Sequence, residues 1–89
     1  MMELSDEMLT EISYVQISQY KTKVMNALDG EVKIPSNIAR DSGIRTSHIS
    51  KVLGELKEHE LVECINPEVR KGRLYKHTEK GEQVVKNLE

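Results

Sequence analysis

The tightest constraint in this sequence is a small residue, Ala39, four positions ahead of a glycine, Gly43, with a one-sided apolar segment following at once. Ile49, Val52, Leu53 and Leu56 fall at i, i+3, i+4 and i+7, the spacing of a single buried stripe, so a helix is expected over residues 46–59. A shorter helix is expected over residues 36–41. Two helices joined so closely pack by crossing steeply. The first needs a small side chain at the contact, the turn needs a residue free to adopt left-handed backbone, and apolar groups must lie on the faces that meet. Ala39 and Gly43 supply the first two, and Ile38, Ile44, Ile49 and Val52 supply the third.

This pattern is a helix-turn-helix unit. Two residues depart from it: Ser42 is polar where an apolar residue is commoner, and Arg45 stands where a capping Ser often opens the second helix. Upstream, Ser18 is suited to cap a helix over residues 19–28, with Tyr20, Val24 and Leu28 at i, i+4 and i+8 and Asp29-Gly30 ending it. Val32-Lys33-Ile34 is a short strand candidate between Gly30 and Pro35. Downstream, residues 61–65 and 73–77 read as two antiparallel strands around a polar turn that holds Asn66, Pro67 and Gly72. Thr78 should cap a last helix through about Leu88, built on Val84, Val85 and Leu88. Gly81 inside that helix costs about 1 kcal/mol relative to Ala, which suggests a close neighbour.

The stretch to Ser13 is acidic and sets Leu4, Met8, Leu9 and Ile12 about one helical face apart; Tyr14-Val15-Gln16-Ile17-Ser18 alternates apolar and polar. The expected organisation is therefore an acidic segment over residues 1–17, helical or a dimer contact, followed by a domain over 18–89. The fold class is mainly α with a small β-hairpin: a three-helix core, a short strand plus a two-stranded wing, and a C-terminal helix.

At 89 residues there is room for one domain, which buries only about 60% of the surface its unfolded chain exposes, too little for a large substrate cavity. No apolar run approaches the ~18 to 20 residues that cross a bilayer, and the first ten residues carry acids where a signal peptide carries bases. No membrane contact and a cytoplasmic location are expected. Cys64 has no second cysteine for a disulfide, and with His48, His59 and His77 it matches no metal-ligand spacing. Phosphate-cradling glycine loops, glycine-flanked nucleophilic serines and paired catalytic carboxylates are absent from the sequence, so neither catalysis nor a cofactor is expected.

The formal charge of −2 averages over unlike regions. Glu3, Asp6, Glu7 and Glu11 stand without a base, whereas Arg70, Lys71, Arg73 and Lys76 cluster against Glu68 alone. Any polyanion site must then be small and directional. With Ile49 at zero and ~100° per residue, Ser47, Lys51, Gly54 and Glu58 oppose the apolar stripe. The N-terminal half of such a helix is presented first to DNA, so Arg45, Thr46, Ser47, His48, Ser50 and Lys51 are the candidate readers. Arg45 or Lys51 can donate to guanine O6 and N7; Thr46, Ser47 and Ser50 suit bases or phosphates. Arg40, Arg70, Lys71 and Arg73 are candidate phosphate or minor-groove contacts, which position a domain without naming bases.

The order helix, short strand, helix, turn, helix, hairpin, helix, with Leu53-Gly54-Glu55-Leu56 before Leu61-Val62-Glu63 and the run Gly72-Arg73-Leu74-Tyr75-Lys76-His77-Thr78-Glu79-Lys80-Gly81, resembles the winged helix-turn-helix regulators of prokaryotes. The similarity to the MarR-like group and its small single-domain relatives covers about residues 18–88. It implies a sequence-specific transcriptional regulator of duplex DNA, usually homodimeric, with the second helix of the motif in the major groove and the wing beside it. MarR-like proteins are commonly longer, with terminal helices that form a dimer and a ligand crevice; nothing in this shorter chain identifies a small-molecule effector. The apolar positions of residues 4–17, with Val84, Val85 and Leu88, are the expected dimer interface. The rival reading is a winged-helix protein–protein interaction module without direct DNA binding. The net charge favours that adaptor; the basic hairpin, and a reading face with no acid before Glu55, favour DNA.

Overall fold

The computed structural model describes residues 5–88; Glu3 and Leu4 of the expected acidic, apolar N-terminal face lie outside the described residues. Helix α1 (Asp6–Gln16) is capped by Ser5, whose side chain accepts from the Met8 amide, and carries Asp6 and Glu7 in its first turn, where acids complement the helix dipole. It runs on through the alternating stretch at Tyr14, which is therefore helix and not strand. Helix α2 (Gln19–Leu28) has the bounds read from the sequence, with the Ser18 hydroxyl accepting from Lys21 N at 3.2 Å. Helix α3 (Pro35–Ser42) starts at Pro35, whose missing N–H is no loss in a first turn. Helix α4 (Thr46–Glu58) follows the turn.

Strands β1 (Val62–Cys64) and β2 (Tyr75–His77) are antiparallel, pairing Val62 with His77, Glu63 with Lys76 and Cys64 with Tyr75. The expected strand at Val32–Ile34 contracts to one bridge, in which Lys33 exchanges backbone hydrogen bonds of 3.0 and 2.9 Å with Tyr75. Pro35 turns the chain into α3 before a second pair can form. Helix α5 (Glu79–Lys86) opens on Thr78, whose hydroxyl accepts from Gly81 N at 2.9 Å.

The core is drawn from every helix: Val24, Met25 and Leu28 of α2, Ile38 of α3, the whole α4 stripe, and Leu61 and Val62 at the hairpin. Ile12, Val15 and Val84 also belong to it. This corrects the expectation that they face a second copy: α1 and α5 spend these side chains on their own domain. Tyr20 is corrected in the opposite sense, being 44% exposed rather than part of the α2 core face.

Polar ties fix the hairpin and the outer helices. His77 Nε2 donates to the Met25 carbonyl at 2.8 Å, pinning β2 to α2. Glu11, nearly buried, takes His59 Nδ1 at 2.8 Å and Lys80 Nζ at 2.6 Å, joining α1 to the end of α4 and to α5. Burial alone would raise the Glu11 carboxyl, but these two partners outweigh it and hold the group below its ordinary value. Among the described residues no helix is long and apolar enough to cross a membrane.

Candidate nucleic-acid interface

The α3–α4 turn is built as its residues require. Gly43 sits at φ 74, and the amides of Gly43 and Ile44 both reach the Ala39 carbonyl, at 2.9 and 3.2 Å. Ser42 finds a use for its polarity: its hydroxyl donates to that same carbonyl and accepts from Ile44 N, each at 3.3 Å. With Ile38 and Ala39 buried beneath the crossing, α4 is fixed with its stripe of Ile49, Val52, Leu53 and Leu56 inward. Its other face stands in the open. Arg45, Thr46, Ser47, His48, Ser50 and Lys51 are all exposed, as are Arg40, Arg70, Lys71 and Arg73.

The hairpin turn and α4 share one surface. Ser50, Gly54 and Lys57 of α4 line an open groove of about 410 Å³ together with Arg70, Gly72 and Arg73 of the turn. Lys57 was missed as a candidate because it lies in the C-terminal half of the helix, yet it faces the same groove. Arg40 is not a lining residue of that groove. Its Nε meets Asp41 Oδ1 at 3.2 Å, while Lys33 Nζ takes Asp41 Oδ2 at 2.7 Å, and Lys33 first, then Arg40, holds the Asp41 carboxyl below the usual carboxylate range. The Arg40 side chain remains 70% exposed.

No family model and no curated protein matches this sequence. Solved structures do match in shape. The homodimeric winged helix-turn-helix DNA-binding domain Mb0332 of Mycobacterium bovis, described as a possible ArsR-family transcriptional regulator, aligns with a TM-score of 0.62 at 22% identity, over 97% of this chain and 82% of that one. A double mutant of Lactococcus lactis ZitR gives 0.59 at 20% identity, over 91% of this chain and 67% of that one. The apo form of that mutant gives 0.60 at 22%, over 94% and 70%. The fold is a winged helix-turn-helix.

In this fold α4 is the second helix of the helix-turn-helix and the β1–β2 hairpin is the wing. The wing tip is organised by a residue that sequence analysis assigned only to the turn. Asn66 Oδ1 accepts from Leu74 N at 2.7 Å, and its Nδ2 donates to the Gly72 carbonyl at 3.2 Å, so one side chain at the start of the loop ties it to its far end by two bonds. An Asn at the first turn position, free to bond backbone groups, was the available signal. Arg73 also serves the tip, its Nε donating to the Val69 carbonyl at 2.7 Å. Arg70 and Lys71 have no such duty among the hydrogen bonds of the described residues. At the other end, Arg45 occupies the N-cap of α4 and makes no capping bond with its side chain.

Proposed function

We propose that this protein is a MarR-like transcriptional regulator of the cytoplasm that binds duplex DNA sequence-specifically as a homodimer. The α4 face of Arg45, Thr46, Ser47, His48, Ser50 and Lys51 enters the major groove, which is wide enough to admit a helix, and the wing's Arg70, Lys71 and Arg73 meet the adjacent backbone or minor groove. Arg40 adds a backbone contact from α3. The observation that carries this reading is the common groove of α4 and the wing: one exposed surface gathers hydroxyls, Lys57, Arg70 and Arg73, and the reading half of the helix holds no acid.

A second copy would double the phosphate contacts and set two reading helices about one DNA turn apart. With Ile12, Val15 and Val84 committed to the core, the apolar groups of these segments still available for that contact among the described residues include Leu9 and Ile17 of the α1 segment, 48% and 84% exposed, and the partly buried Met8, Tyr14, Val85 and Leu88. The homodimeric state of the Mb0332 domain supports the reading as a dimer.

Fluorescence anisotropy with mixed-sequence duplex across a salt series tests the reading. Binding is expected, and its affinity falls steeply as salt rises because counterions are released from the contacted phosphates. Absent or salt-insensitive binding would favour the adaptor reading instead. One variant separates stability from recognition. Arg45→Ser supplies the missing cap and is expected to stabilise the fold by about 1 kcal/mol, raising Tm by roughly 4–8 °C in a circular-dichroism melt. The same change removes a base contact, so its DNA affinity falls while its stability rises.

A further inference from the structure

The recognition helix has two flanks, and the wing covers only one. Taking Ile49 as zero and about 100° per residue, Ser50, Gly54 and Lys57 lie between roughly +80° and +140°, on the wing side. His48, Lys51 and Glu55 lie between roughly −100° and −160°, on the other side. That second side is not bare. A concavity of about 260 Å³ opens there between α2 and α4, lined by Ser18, Tyr20, Lys21, His48, Lys51 and Glu55. Tyr20 is one of its lining residues, with its ring centroid 5.6 Å from that of His48 and tilted 46° to it. The acid in the concavity is accounted for: Lys21 Nζ meets Glu55 at 3.3 Å and also sits 4.8 Å over the Tyr14 ring. The rim is left with an imidazole, the Lys51 ammonium and a phenol.

A helix lying in the major groove has a sugar-phosphate strand on each side. The wing meets one of them. We propose that the α2–α4 concavity receives a backbone phosphate of the other, with the Tyr20 hydroxyl donating a hydrogen bond to a phosphate oxygen and the His48 ring holding the phenol at that angle. This inference rests on the duplex-DNA reading above and extends the contact surface from α4 and the wing onto α2. A phenol is uncharged, so its contact adds affinity on every sequence without adding to the salt dependence.

The test uses the full chain and a duplex selected from a random-sequence library by the wild-type protein. Tyr20→Phe keeps the ring against His48 and removes only the hydroxyl. It is expected to weaken binding by about tenfold, the worth of one hydrogen bond to a charged acceptor, with an unchanged salt slope and an unchanged melting temperature. Neutral methylphosphonate linkages are then placed one at a time along the duplex. One linkage that weakens the wild-type complex should leave the Tyr20→Phe complex unaffected. Wild-type affinity in Tyr20→Phe, or the same set of sensitive linkages in both proteins, overturns the inference while leaving the duplex-DNA reading intact. A wild-type protein that selects no duplex at all overturns both.

Discussion

Gly81→Ala is expected to destabilise the protein by on the order of 3 kcal/mol, lowering Tm by roughly 12–24 °C, although alanine is the better helix former by about 1 kcal/mol. The sign is decided by one contact. A Cβ on residue 81 would overlap the Leu61 carbonyl oxygen and lie 2.9 Å from its carbon. Both are backbone atoms, so no side chain can swing aside. That oxygen already accepts the Thr78 amide at 3.1 Å, while the Thr78 hydroxyl donates to the Glu60 carbonyl and caps Gly81 N. Relief therefore means moving α5 away from the start of β1, which breaks the cap and unseats Val84, a fully buried residue. Thermal melts of wild type and variant by circular dichroism read the difference. A variant that melts at or above the wild-type temperature would show that α5 does not press on Leu61 in this way.

The same glycine illustrates what a sequence can and cannot say. Its cost inside a helical pattern announced a close neighbour, but the neighbour lies twenty residues away and no spacing names it. Local chemistry read well: Ser18 and Thr78 cap the helices they precede, and the α4 stripe is buried because a single helix carries its own geometry. Tertiary choices read less well. Periodicity says that a face is covered, not by what, so Ile12, Val15 and Val84 looked like interface and proved to be core. Tyr20 kept the i, i+4 spacing with Val24, yet it sits in the first turn of α2, beyond the reach of the core, and joins the α4 flank instead. The exposure of Arg45, Thr46, Ser47, His48, Ser50 and Lys51 followed from helical geometry. The groove that brings Ser50 and Lys57 up to Arg70 and Arg73 required the fold, because it depends on where a hairpin docks.

Lys51→Ala is expected to cost about 1–3 kcal/mol on the preferred duplex, roughly 5- to 150-fold, and to flatten discrimination at a single base-pair position. Lys51 is exposed on α4 at about −160° from Ile49, at the outer edge of the α2–α4 concavity and nearly opposite the buried stripe, from where its long side chain can reach a base edge. Arg70→Ala is the contrasting change. Its side chain stands on the wing tip and owes no hydrogen bond to the loop among the described residues, so the variant should weaken every sequence alike and lower the log–log salt slope by about 0.9 for the phosphate released. Arg73→Ala would be a poorer probe of charge, since it also frees the Val69 carbonyl and loosens the tip. Anisotropy titrations on the selected duplex, on its single-base-pair variants and on mixed-sequence DNA distinguish the two behaviours. If Lys51→Ala left affinity and base preference untouched while Arg70→Ala behaved as expected, the protein would hold DNA by its wing with α4 turned away from the bases. The reading face would then have to be sought on another flank of the helix.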